Sequence, residues 1–449
     1  MPNEKERLGL KSHPARLYSR LENEEVVCHL SPRQCRLKPG QAGFCRVRQN
    51  ENGKLVTLNY GVSVQLTQEM IETEAVVHHS PGQPILSLGN IGCMLNCDFC
   101  HNWQTSQMRY VKKKDFYHYT PEQVVQTALN KGIGILSWTY NDPVVWHEFV
   151  CDTARLGRQQ GLLNLYKSAF YIGPEAIDEL HEVIDIFSLS LKSMDPDFYR
   201  RVAKGRLEPV LEGIKQVYAY GTHHLEISNL VVTGMNDSLK EVEKVVNWML
   251  KELDDEVPLH LVRFHPDYKY THVERTNIEF LKKARLRALE MGIKHCYLGN
   301  VYEEHEGLNT SCRHCGNLLV QRFGLQTKVL GINSDQLCSR CGKPTPITFA
   351  PLKKGITNDP GLENREKQSS FSWHQDINAC HVVIENKSLE SQKVICRQDA
   401  EKVIPLEPGE QWRFICSRQS QTETGVELWH SPDVQVHFAE VLDRAHYPV

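Results

Sequence analysis

No uninterrupted apolar stretch in these 449 residues approaches the roughly 20 that a helical bilayer span requires. A helical membrane protein is therefore excluded. Charge of a single sign is also missing: 52 Lys and Arg stand against 55 Asp and Glu, interspersed, for a net charge of −3. Nothing in that balance marks a nucleic-acid or membrane-surface footprint. The opening residues Met1 to Arg7 are charged and carry no apolar core, so no secretory signal is expected. No internal repeat and no low-complexity tract is present. The mean hydropathy of −0.44, with 40% hydrophobic residues, describes a soluble chain able to build real cores. What the sequence does have is cysteine. There are 15, an odd number, and seven fall in tight groups at 93–100, 312–315 and 338–341. Without a signal peptide, such usage reads as metal binding in a reducing cytoplasm rather than as disulfides.

The length allows two to four domains. Residues 1–84 form an N-terminal cysteine-containing segment. From 85 to 305, strand-like runs alternate with helix-like ones, the pattern of parallel β/α units. Strands are expected at 85–90, 133–138, 162–166, 184–191, 224–232, 257–264 and 294–299. Thr120-Pro121-Glu122-Gln123 and Thr276-Asn277-Ile278-Glu279 read as helix starts of the capping-box kind. Six or seven units are too few for a complete eight-fold barrel, so an α/β fold with a partial TIM-type barrel is expected. Residues 306–350 form a small lobe with four cysteines, and polar residues 351–370 read as a linker. Short β-prone runs separated by turns make 371–449 a β-sandwich-like module.

The most informative motif is Cys93-Met94-Leu95-Asn96-Cys97-Asp98-Phe99-Cys100, directly after the strand at 85–90. Three thiolates in so tight a loop converge on one centre, and iron–sulfur clusters normally take four. A [4Fe–4S] cube held by three cysteines keeps one iron open, the hallmark of a site that binds substrate. A zinc knuckle fits the three-plus-one spacing poorly. Cys312-Arg313-His314-Cys315-Gly316 and Cys338-Ser339-Arg340-Cys341-Gly342 are two C-x-x-C-G knuckles. Together they complete a closed tetrahedral site, best read as structural zinc in a ribbon-like lobe. Cys28, Cys35 and Cys45 form a candidate third site without an obvious fourth ligand. Buried free thiols are an equal reading there.

Active sites of barrel folds collect at the C-terminal ends of the strands. Asn141 and Asp142 follow the strand at 133–138 and suit a ligand ammonium. Lys192 ends the strand at 184–191 and suits a carboxylate. His260, Arg263 and His265 lie along the strand at 257–264, Arg263 and His265 at alternate positions that share a face.

The cysteine spacing, with Phe99 before the last ligand, resembles the signature of radical S-adenosylmethionine (SAM) enzymes. Further stretches sharpen the likeness: 80–104, Thr139-Tyr140-Asn141-Asp142-Pro143, Asn236-Asp237, 263–269, 297–301 and the paired knuckles. These resemble the AmmeMemoRadiSam-system radical SAM proteins, relatives of the pyruvate formate-lyase activating enzymes, from about residue 26 to about 345. The resemblance implies a partial (β/α)6 barrel and one [4Fe–4S] cluster on Cys93, Cys97 and Cys100. It also implies SAM as cofactor, contacted by Asn141, Asp142 and Lys192; Phe99 and His260 are further candidate contacts, and Asp142 and Lys192 the candidate catalytic residues. A flavodoxin or ferredoxin would supply the electron. Cleavage of SAM would yield a 5′-deoxyadenosyl radical for hydrogen abstraction from a peptide, protein or small molecule. Four positions depart from the family: Ser31 replaces a fourth N-terminal cysteine, Ser190 an aspartate, and Ala169-Phe170 an Asn-Gly pair. The rivals are transfer of a 3-amino-3-carboxypropyl or methyl group on the same cluster, and a non-catalytic zinc-ribbon interaction protein.

Overall fold

The structure, a computed structural model, describes residues 4–301, 307–333 and 335–349, and the backbone of seven strands between 367 and 442. The chain divides into two compact units. One comprises Met1–Leu66, Glu74–Val76 and Ile85–Val301; the other Thr67–Thr73, Val77–Pro84 and Tyr302–Val449. The expected linker at 351–370 falls largely outside the described residues.

The first unit is built on seven parallel strands in sequential order: β1 (Pro84–Gly89), β2 (Ile135–Thr139), β3 (Leu163–Ser168), β4 (Ile186–Ser190), β5 (His224–Val231), β6 (Leu259–Arg263) and β7 (Cys296–Gly299). Each expected strand is present, displaced by at most two or three residues at either end. Six helices return the chain from one strand to the next: α1 (Pro121–Asn130), α2 (His147–Gln159), α3 (Pro174–His181), α4 (Glu208–Tyr220), α5 (Leu239–Glu252) and α6 (Ile278–Glu290). Thr120 caps α1 reciprocally with Gln123, as its sequence demands. At α6 the cap falls one residue later than expected. Asn277 accepts from the Glu279 N–H, while buried Thr276 donates to the Val231 carbonyl at 2.6 Å and ties β5 to the segment beyond β6.

The sheet curls. Side chains on one face reach strands that are not neighbours: Glu74 accepts from Thr139 on β2 at 2.7 Å, and its backbone carbonyl accepts from Ser188 on β4 at 2.6 Å. Lys167 on β3 reaches Ser228 on β5 at 3.0 Å. The opposite face and the helices enclose an apolar core that includes Trp138, Trp146, Phe149 and Phe187, all fully buried.

The N-terminal residues add small antiparallel sheets, one of them Tyr18–Arg20, Val26–Cys28 and Arg36–Leu37. They are clipped to α2 by an ion pair between Arg48 and Glu148 at 3.1 Å, each side chain only 1% exposed. Breaking so buried a pair from one side costs about 3–5 kcal/mol, because the remaining charge stays desolvated.

In the second unit, strands β8 (Leu318–Phe323) and β9 (Gln326–Val329) form a hairpin beside the knuckles. Beyond it lie β10 (Ile377–Asn386), β11 (Gln411–Ser417) and β12 (Val434–Leu442). Val329 registers with Gln411, so the hairpin and the C-terminal strands share one six-stranded sheet. The remaining four C-terminal strands form a second sheet. Residues 67–84, assigned from sequence to the N-terminal segment, belong in part to this unit: Ser80 and His78 bracket Thr348 through backbone bonds of 2.6 and 2.8 Å. No helix among the described residues is long and apolar enough to cross a membrane.

Candidate active site and metal centres

The loop following β1 carries Cys93, Cys97 and Cys100, and neighbouring segments hold it on every side. Gly92 precedes the first cysteine at φ +86°, where a Cβ would lie 3.1 Å from the Cys45 carbonyl oxygen, so only glycine fits this approach. Arg33 donates to the Met94 carbonyl at 2.8 Å and to the Lys204 carbonyl, and lies over the Phe44 ring. Asp98, between two of the cysteines, bridges Lys204 at 2.9 Å and Lys269 at 2.7 Å. Trp103 stacks on Tyr268 and donates to Asp267 at 3.0 Å. The loop is thus pre-shaped by contacts far apart in sequence. Burial pushes all three thiols up, Cys97 to about 12; for Cys93 the Asp142 carboxylate adds to it.

The three sulfurs are not all within 4.8 Å of one another. A single tetrahedral ion with metal–sulfur bonds near 2.3 Å sets its thiolates about 3.8 Å apart. A four-iron cube binds each thiolate through a different iron and needs a wider spread. The knuckles have the narrow arrangement. Cys312 and Cys341 sulfurs lie 3.7 Å apart, as do those of Cys315 and Cys338, and all four fall within 4.8 Å. Each knuckle closes alike: Gly316 donates to the Cys312 carbonyl and Gly342 to that of Cys338, both at 2.8 Å, with both glycines at positive φ.

Asp142 follows β2, fully buried. Its Oδ1 accepts from Ser168 at 2.8 Å and from the Val144 N–H at 3.2 Å, whereas Oδ2 has no hydrogen-bond partner. Burial raises its pKa, with Ser168, Val144 and Lys192 opposing. A desolvated carboxylate oxygen left unmet beside Cys93 calls for a cation or a donor. Lys192, past the end of β4, sets its amine 5.7 Å from the Phe99 ring centre and forms no ion pair among the described residues. Charges of opposite sign therefore approach the cysteine loop from the ends of β2 and β4, with β3 between them.

Asn141 takes another role. Its amide donates to the Asn90 carbonyl and to Thr105 at 3.0 Å, locking the cysteine loop to the end of β2, so it positions rather than offers a free acceptor. His260 lies near the start of β6, buried, with Nε2 on Glu226 at 2.6 Å. Its ring is thus held by a carboxylate below the strand ends rather than among the residues of the cysteine loop. Cys28, Cys35 and Cys45 are near neighbours, with Cys28 donating its N–H to the Cys35 carbonyl at 3.0 Å. They are not among the groups whose donor atoms lie within 4.8 Å. Burial drives Cys45 up to about 11. Cys28 and Cys45 are buried and Cys35 is half-buried.

Sequence reasoning overlooked Asp98, Arg33 and the polar residues of the concave face: Ser137, Thr139, Lys167, Ser188, Glu226 and Ser228. One signal was available. Parallel strands covered on both faces read as nearly continuous apolar runs, and these strands carry polar residues at alternate positions instead.

Parallel strands with a cysteine loop after the first and charged groups at the following strand ends define an α/β enzyme built around a reactive iron–sulfur site. Residues 90–249 match the model of the radical SAM superfamily. The chain is 37% identical over 336 residues to an uncharacterized protein of Methanocaldococcus jannaschii, covering 75% of this chain and 99% of that one. It is 23% identical to the pyruvate formate-lyase-activating enzyme of Clostridium pasteurianum, over 43% of this chain and 84% of that one. Among solved structures, a domain of a pyruvate-formate lyase-activating enzyme from Bacteroides vulgatus aligns with 36% of this chain and 98% of its own, at 17% identity and a TM-score of 0.33. The chain belongs to the radical SAM superfamily and is an enzyme of that class, whose members use a [4Fe–4S] cluster and SAM.

Proposed function

We propose that the chain is a SAM-cleaving radical enzyme on a partial (β/α) barrel, with Cys93, Cys97 and Cys100 holding the cluster and its fourth iron left for SAM. A cluster and SAM held there would supply radical chemistry for hydrogen abstraction from the substrate. The observation that carries the reading is the unpartnered Asp142 oxygen beside the cysteine loop, with the Lys192 amine across from it at Phe99. Asp142 takes the SAM ammonium, Lys192 the carboxylate, and Phe99 packs beside that lysine. Asn141 fixes the loop against β2. Arg33 and Asp98 keep the three thiolates spread. The electron comes from a flavodoxin or ferredoxin, and the substrate is a peptide, protein or small molecule.

The knuckles hold a structural zinc that braces their own lobe. The four sulfurs share their protons: backbone N–H groups of Cys341 and Arg340 help bring Cys338 down, while the neighbouring sulfurs push Cys341 up.

The test is anaerobic. Protein reconstituted with iron and sulfide, then given dithionite and SAM, should release 5′-deoxyadenosine. Release of 5′-methylthioadenosine would instead indicate aminocarboxypropyl transfer. A fully loaded protein that neither binds nor cleaves SAM would sink the proposal.

A further inference from the structure

The concave face of the parallel sheet carries an amine that the cysteine loop and the SAM-facing residues do not use. Lys167, on β3, donates to Ser188 on β4 at 3.1 Å and to Ser228 on β5 at 3.0 Å. An ammonium has three N–H donors, and the third has no partner among the described residues. Two carboxylates share this face, and both are engaged elsewhere. Glu74 accepts from Ser137 at 3.1 Å and Thr139 at 2.7 Å. Glu226 accepts from His224 at 2.8 Å and His260 at 2.6 Å. Neither forms an ion pair with Lys167, although both lie close enough to favour its charge.

An amine set in a parallel sheet with no ion pair among the described residues is a ready partner for an anion. It is also reachable. Lys167, Ala169, Ser190 and Lys192 are all half-buried rather than sealed. Ser190 and Ser228 lie 3.0 Å apart and add hydroxyls beside the amine. By register Lys167 pairs with Ser188, four positions before Lys192 and about 13 Å of strand deeper than the SAM-facing end. Anything held at Lys167 therefore extends from the floor of the concave face toward the cysteine loop.

We propose that Lys167, oriented by Ser188 and Ser228, anchors a carboxylate or phosphate group of a small-molecule substrate whose reacting carbon faces the strand ends. This rests on the radical SAM reading of the site above and names the chemical class of its substrate. A small acid fills the third N–H, pairs the charge and leaves its other end at the level of Lys192 and Asp142. Burial brings the Lys167 amine down to about 8, Glu74 opposing and Lys192 adding to it. An incoming anion would reverse that shift.

The test labels the lysines of the full-length reconstituted protein with trace acetic anhydride and reads each by peptide mass. It is run in chloride and then in acetate or inorganic phosphate at equal ionic strength, with and without SAM. So small an anion reaches only millimolar affinity, so concentrations on the order of 50 mM are needed. Acetate or phosphate should slow acetylation of Lys167 by about fivefold, as expected from occupancy at several times Kd, and leave Lys204 and Lys269 unchanged. Protection by acetate alone identifies a carboxylate, by phosphate alone a phosphate. Lys167 labelling unchanged by both anions would overturn the proposal. So would protection of Lys167 by SAM alone as complete as that of Lys192, since Lys167 would then be a cofactor contact. Assaying 5′-deoxyadenosine in the same samples separates the two readings. Its absence counts against the radical chemistry, whereas anion protection is read independently of turnover.

Discussion

Two cysteine-rich loops of similar appearance in sequence differ in what their surroundings allow. At the knuckles, four sulfurs are drawn to within single-ion distance, and each turn is closed by its own backbone and a glycine. The loop after β1 has three sulfurs, not all within that distance of one another, and its shape comes from distant residues: Arg33, Lys204, Lys269 and Asp267. A closed site is thus encoded locally, because a metal that needs nothing further can be wrapped by a short stretch of chain. An open, reactive one depends on the rest of the fold, because the same residues must hold the metal and leave room for a ligand. The orphaned oxygen of Asp142 has no counterpart among the described residues at the knuckles.

The sharpest way to break this comparison is to remove one sulfur from each. Cys97→Ser should abolish SAM cleavage, a loss of over about a thousandfold, while zinc measured by mass spectrometry stays at one per chain; a ligand that is lost takes its metal with it. Cys338→Ser should do the reverse, releasing zinc with SAM cleavage still measurable. If both variants lost both metals, the two loops would not be independent.

Next come the charges over the open site. Asp142→Asn and Lys192→Met should each weaken SAM binding by about 10–100-fold, the loss of one charge-assisted contact. Affinity equal to wild type in both would remove them from the site. A smaller effect is expected for Asp98→Asn. Its lysine partners are 37% and 51% exposed, which limits each pair to about 1 kcal/mol or less. The loop should reassemble its cluster a few-fold more slowly, followed by the iron–sulfur absorbance, whereas the zinc content should not change.

The smallest effect is a pH dependence away from both loops. His147 on α2 bonds Glu179 at 2.9 Å. Burial opposes its charge, but Cys151 and Glu179 outweigh it and raise its pKa to about 10. A raised pKa stabilises the fold fully below the unfolded value near 6.5, and that benefit fades as pH climbs to about 10. The stability deficit of His147→Gln, measured by urea unfolding, should therefore be largest at pH 6 and shrink toward pH 10. A deficit constant across that range would mean that His147 is neutral in the folded protein.

How much of this was readable beforehand follows the same division between local and distant. The seven strands announced themselves through short β-prone runs such as Ile85 to Leu88 alternating with helix-like ones, and the knuckles through spacing alone. Asp142 and Lys192 could be named because strand ends are where such sites form. Asp98 could not, since its meaning depends on Lys204 and Lys269, more than 100 residues away. The pairing of Val329 with Gln411 was hidden for the same reason: sheet register between distant strands leaves no trace in local composition. The bonds of Asn141 to Thr105 and Asn90 were hidden as well, since nothing near it in sequence reveals those partners.

The buried pair of Arg48 and Glu148 has a consequence for how this chain can be divided. A protein cut to begin at the first parallel strand would keep the whole sheet and every cysteine of the open site, yet would leave Glu148 as an anion sealed from water with its cation removed. The segment before the sheet also supplies Arg33 to the cysteine loop and crowds Gly92. An engineered exchange that moved the small N-terminal sheets without the parallel sheet, or the reverse, should therefore fail at folding before it fails at chemistry.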